Sequence, residues 1–122
     1  MRKIMLAAAM LSMAGCAAYK NDNRPLYEYP GIQSQIENYY DDNATEDDWV
    51  CGAVQMDTID DSKVVAQSPT QVKMAITYFF TAFAPDPLRF GDNCQGFNTR
   101  FFTFDRTADG GLTLASMTGP QH

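Results

Sequence analysis

The sequence predicts an α+β domain in which an antiparallel sheet of about three or four strands packs against one to three helices, with one disulfide. Three observations carry this. The last third holds short strand-like runs joined by turn residues, two earlier stretches repeat their apolar residues at helical spacing, and Cys51 and Cys94 flank the region between them. The chain has 122 residues, a length that suits one domain.

The N-terminus has a basic start, Arg2 and Lys3, followed by an apolar run of ten residues, Ile4 to Met13. A bilayer-spanning helix needs roughly twenty, so the run fits the apolar core of a signal peptide instead. Met13-Ala14-Gly15-Cys16 resembles the lipobox of bacterial lipoproteins, which signal peptidase II cleaves. Met13 stands where leucine is usual. The resemblance implies cleavage before Cys16 and acyl chains on that cysteine. Two or three such chains make a stable anchor, since each buried methylene contributes about 0.8 kcal/mol. Ala17, in place of an inner-membrane aspartate, implies the outer membrane with the domain facing the periplasm. Residues 1–15 are thus expected to be signal, 16–30 a lipidated cysteine and tether, and 31–122 the folded domain.

Ala17 to Pro30 has no sustained apolar period and two prolines, which reads as an extended tether. Its tyrosines Tyr19, Tyr27 and Tyr29 are candidates for a membrane-surface or binding contact, or for loose packing on the domain. In Gly31 to Tyr40, residues Ile32, Ile36, Tyr39 and Tyr40 share one helical face. Three turns are marginal alone, so this helix must lie on something.

Asp41, Asp42, Glu46, Asp47 and Asp48 are the densest part of an acidic stretch. Their spacing does not match the twelve-residue calcium loop. Thr45 is better read as a helix cap with Glu46 to Asp48 in the first turn, where the helix dipole favours anions. No metal is expected.

Cys51 and Cys94 are the two cysteines besides Cys16. In an oxidising exported setting they are expected to pair. A metal site lacks further ligands, and the spacing of a redox CxxC pair is absent.

Ser68 to Ala84 supports two readings. Ser68, Pro69 and Gln71 look like an N-cap, a first-turn proline and a capping-box partner. Val72, Ile76, Phe79, Phe80 and Phe83 then follow helical spacing, with Lys73, Thr77 and Thr81 opposite. Yet Val72, Met74, Ile76, Tyr78 and Phe80 also alternate, and the composition favours a strand. The capping signal and polar stripe make helix the expectation. Pro85-Asp86-Pro87 breaks the chain. Leu88 to Phe90, Thr99 to Phe104 and Leu112 to Met117 read as strands, the last two joined by Asp109-Gly110-Gly111. Phe102 and Phe104 should share one face, with Phe101 and Thr103 on the other.

Phe90-Gly91-Asp92-Asn93-Cys94, then Phe97, Phe101 and Leu112-Thr113-Leu114-Ala115-Ser116-Met117-Thr118, is similar to the second half of META or HslJ-like envelope domains. Asn93 replaces that family's glycine and Gln95 its asparagine, and its later cysteine is missing. The resemblance implies a β-rich envelope domain and transfers no catalytic residue.

Loss of Arg2 and Lys3 would take the net charge from −6 to −8. That balance opposes nucleic-acid binding, which needs clustered cations, and a polybasic attraction to anionic lipid heads. It suits a cationic protein partner. The sole histidine, His122, is the last residue of the sequence, where chains usually fray, so no catalytic base is expected for a serine or cysteine nucleophile. No enzyme and no cofactor are expected. The expected role is a non-catalytic, lipid-anchored envelope protein that binds or positions another envelope component; the alternative is an inhibitor of a cationic lysozyme or protease.

Overall fold

The computed structural model describes residues 22–46, 52–82 and 94–122. They form two short helices, α1 (Arg24–Glu28) and α2 (Ile32–Asn43), and four strands, β1 (Val54–Gln67), β2 (Gln71–Ala82), β3 (Gln95–Arg106) and β4 (Leu112–Met117). The strands make one antiparallel sheet in the order β1-β2-β3-β4, a simple meander. Both helices cover one face: α1 lies on β1, and α2 spans from β1 to β4. Among the described residues, no helix covers the other face, the open face of the sheet.

The helix read from Ile32, Ile36 and Tyr40 is present, and all three side chains are fully buried. Gly31 enters it at φ +90, a left-handed conformation that glycine adopts without a Cβ penalty. Gln35 performs a second task. Its amide donates to the Leu112 carbonyl and accepts from the Leu114 N–H, at 3.0 and 2.8 Å. It thereby occupies backbone groups on the free edge of β4 that another strand would otherwise seek.

The tether ends earlier than expected. From Asp22 the chain is seated on β1: the Asp22 carbonyl accepts from the Ser62 N–H, and the Asp22 N–H donates to Asp61 Oδ1, at 2.9 and 2.8 Å. Asn23 donates to the Ile59 carbonyl. Pro25 begins α1 where its missing N–H costs nothing, and Pro25 and Leu26 are buried. Residues 22–30 are therefore part of the fold.

The helix expected over Ser68 to Ala84 is instead β2. Burial alternates along it, with Val72, Met74, Ile76, Tyr78 and Phe80 inward. The apparent N-cap is a hairpin turn. Ser68 Oγ accepts from the N–H groups of Thr70 and Gln71, and the Ser68 N–H donates to the Gln71 carbonyl at 2.8 Å. A serine hydroxyl that could cap a helix closes a tight turn equally well, and Pro69 presets its first central φ. Neighbours on both sides then decide for strand: β2 pairs along its length with β1 and β3.

β1 had no sequence assignment. Its buried residues are Val54, Met56, Ile59 and Ser62, a broken period caused by extra residues at Asp57 and Asp60, with a further bulge at Val65. The strand predicted at Thr99 to Phe104 extends to Gln95–Arg106, and Leu112–Met117 is found as predicted. Between them Gly110 sits at φ +90, and the Thr107 N–H donates to the Gly111 carbonyl. Phe102 and Phe104 are buried, and Phe101 lies on the opposite face. The first turn that Thr45 is expected to cap, with Asp47 and Asp48, lies outside the described residues, as does the predicted strand Leu88 to Phe90.

Candidate functional site

The densest chemistry among the described residues is inside the fold. Arg100 stands mid-strand on the inward face of β3 and is 2 % exposed. A buried guanidinium is tolerated only when its donors are matched. Nε donates to the Tyr78 hydroxyl at 2.8 Å. Nη1 donates to the carbonyls of Thr118 and Pro120, both at 3.0 Å. Nη2 donates to the Thr45 carbonyl at 2.7 Å and to Glu46 Oε2 at 3.3 Å. All five N–H groups are thus engaged. Glu46 Oε2 also accepts from Tyr40 and Tyr78, each at 2.7 Å, and Oε1 accepts from the Asn98 amide at 3.0 Å. The guanidinium lies 5.3 Å from the centre of the Tyr40 ring, a cation–π distance.

This cluster joins three stretches of chain: the exit of α2, the middle of β2 and β3, and the segment after β4. Its groups satisfy one another, which makes it a fastening and leaves little capacity for a substrate. Gly119 sits between the two carbonyls that Arg100 holds. Its φ is +92, and a Cβ there would fall 2.9 Å from Nη1, so only glycine fits.

Burial, then the hydrogen bond to Glu46, pushes both the Tyr40 and the Tyr78 phenol well above the ordinary tyrosine range. Above about pH 10 the unfolded chain releases these protons and the folded chain keeps them, so stability falls as pH rises from there. In an alkaline titration followed by tyrosinate absorbance, Tyr40 and Tyr78 should ionise only with unfolding. Smooth ionisation of all six tyrosines around pH ~10 with the fold intact would contradict the buried cluster.

The predicted site residues fall as follows. Cys16 and Cys51 lie outside the described residues, as does Tyr19. Cys94 is buried at the start of β3, 4 % exposed. The acidic run is divided. Glu46 is inside the cluster, Asp42 is exposed, and Asp41 accepts from the Met56 N–H at 2.9 Å. Partial burial pushes the Asp41 carboxyl up despite that hydrogen bond, and Asp42 and Asp57 add to the rise. Among the described residues no three His, Cys, Asp or Glu side chains group to hold a metal. Tyr27 is exposed, and Tyr29 is half-buried against the core.

His122 does not fray as expected. Gln121 bridges to Ala44, and the His122 N–H donates to the Asn43 carbonyl at 2.8 Å. His122, Asp41 and Thr45 line one shallow hollow at that end, and Thr45 Oγ1 has no hydrogen-bond partner among the described residues.

The open sheet face carries the other notable chemistry. Phe79 and Phe97 pair directly in register with ring centres 5.0 Å apart. The next row joins Thr77 and Thr99 through their hydroxyls, at 2.9 Å. The row beyond places Phe101 beside Ala75, and Lys73 Nζ lies 5.2 Å from the centre of the Phe101 ring. Phe97 is 66 % exposed and Phe101 39 %. Alternation around Phe102 and Phe104 places Phe101 outward and Arg100 inward; the partners of Arg100 gave no signal, because its main-chain acceptors lie after β4 and its carboxylate precedes β1.

No family model matches the chain, and no match is found among curated proteins or solved structures. The resemblances to the lipobox and to META or HslJ-like domains rest on the residues that carry them.

Proposed function

We propose that this chain is a non-catalytic, lipid-anchored module of the bacterial envelope. It is cut before Cys16, held to the periplasmic side of the outer membrane by acyl chains on that cysteine, and binds or positions another envelope component. The observation that carries this reading is the ten-residue apolar run leading into Met13-Ala14-Gly15-Cys16.

Other features support it. The described cluster of acidic, basic and phenolic groups is internally matched, which suits fastening over catalysis. The helix layer exposes Glu28, Asp41 and Asp42, a surface that favours a cationic partner. A Cys51–Cys94 disulfide fits the topology. β1 and β3 both run antiparallel to β2 and start at the same end of the sheet, where Val54 pairs with Ala82 and Gln95 with Thr81. Cys94 immediately precedes β3, and Cys51 stands three residues before β1. A bridge there would stabilise the fold by about 4 kcal/mol at most.

Cys16→Ser should leave an uncleaved precursor that takes up no labelled palmitate. Normal processing and labelling of that variant would defeat the reading. The second reading, an inhibitor of a cationic lysozyme or protease, draws on the net charge of −8 expected after cleavage. Inhibition should then weaken as salt screens the charge; full activity of lysozyme and serine proteases at low salt would remove it.

A further inference from the structure

We propose that the open face of the sheet is the surface on which this domain rests against the lipid headgroups of its own anchoring leaflet, with Phe97 set into the headgroup boundary. The proposal depends on the lipid anchor at Cys16 and adds an orientation to it.

The first argument is reach. Five residues separate Cys16 from Asp22. Even fully extended, the chain from Cys16 to Asp22 spans only about 20 Å. The point where the chain leaves the domain therefore stays within about 20 Å of the bilayer, comparable with the domain's own radius of gyration of about 13 Å, which keeps the face beside that exit near the lipid. Asp22 is fixed on β1 beside Asp61 and Ser62. Asp61 pairs with Thr77, and Thr77 with Thr99, so the chain leaves the fold level with the middle row of the open face. Phe97 and Phe101 lie two residues either side of Thr99, within about 16 Å of that exit by sheet geometry.

The second argument is surface chemistry, which decides which side turns to the lipid. The helix layer exposes Glu28, Asp41 and Asp42, while its cation Arg24 sits 3.6 Å from Asp22. Anionic headgroups repel that layer. The open face carries the exposed phenyls in its centre and both described lysines, Lys63 and Lys73, around Phe101. Three carboxylates share it, Asp61 paired with Lys63, and Asp57 and Asp105 hydrogen-bonded to Gln55 and Gln71, so the exposed phenyls more than net charge distinguish this face from the helix layer. A phenyl at the interface with lysines reaching for phosphate is a favourable arrangement. The anchor raises the local concentration of lipid so far that a weak contact suffices.

The test uses the full lipidated protein in vesicles of phosphatidylethanolamine and phosphatidylglycerol. A photocrosslinking phenylalanine analogue replaces Phe97 in one sample and exposed Gln33 of the helix layer in another. Burial of one phenyl favours the proposed orientation enough for roughly tenfold more phospholipid adduct at 97 than at 33. Equal yields at the two positions, with Cys16 acylated by mass, would overturn the orientation and leave the anchor standing. Loss of the acyl mass at Cys16 would overturn both. Capture of a protein in place of lipid at 97 in intact cells would make this face a protein interface and also overturn the proposal.

Discussion

Arg100→Leu should lower the free energy of unfolding by about 3–5 kcal/mol, a large part of the stability of a small domain. The substitution removes a charge and leaves Glu46 buried without its counterion. It also removes the Arg100 donors from the carbonyls of Thr45 and Thr118, while the Pro120 carbonyl keeps the Thr45 N–H. Arg100→Lys should rescue little, because one ammonium cannot reproduce a planar fork that reaches three chain segments. The double variant Arg100→Leu, Glu46→Leu should recover part of the loss, since removing both charges removes the uncompensated one. Urea denaturation measures all three. A loss under about 1 kcal/mol for Arg100→Leu would mean that the cluster is not a fastening.

Met74→Ala should cost about 2–5 kcal/mol, and Phe79→Ala far less. Met74 is fully buried between Val64 and Phe102 in register, whereas Phe79 lies on the open face against Phe97. The pair separates the two readings of Ser68 to Ala84. A helix would put Phe79 on the packed side with Val72, Ile76 and Phe83, and Met74 away from it. A larger loss for Phe79→Ala than for Met74→Ala would contradict the strand.

That segment shows where local sequence signals end. Ser68 and Pro69 have the same short-range chemistry at a helix start and at a tight turn. The choice depends on β1 and β3, and β1 was itself concealed: three bulges break its alternation, and its aspartates read as part of an acidic stretch. The elements that were legible carry their information within one or two turns of chain. α2 shows its face in Ile32, Ile36 and Tyr40, and the β3–β4 hairpin shows its turn in Asp109-Gly110-Gly111. The Arg100 cluster was illegible for the opposite reason. Glu46 and Arg100 are brought within 3.3 Å only by the finished meander. The proposed lipobox, by contrast, would be read from the linear stretch Met13 to Cys16, so its signal needs no folded structure. The open face was half legible, since alternation placed Phe101 outward but could not pair Phe97 with Phe79.

The anchor is the claim on which compartment, orientation and cysteine pairing all depend, and one mass measurement addresses it. Native protein purified from the membrane fraction, with thiols blocked before digestion, should begin at Cys16, carry the mass of two or three acyl chains there, and show Cys51 and Cys94 unblocked by the reagent. A chain recovered from the cytosol with residues 1–15 attached and an unmodified Cys16 would contradict it.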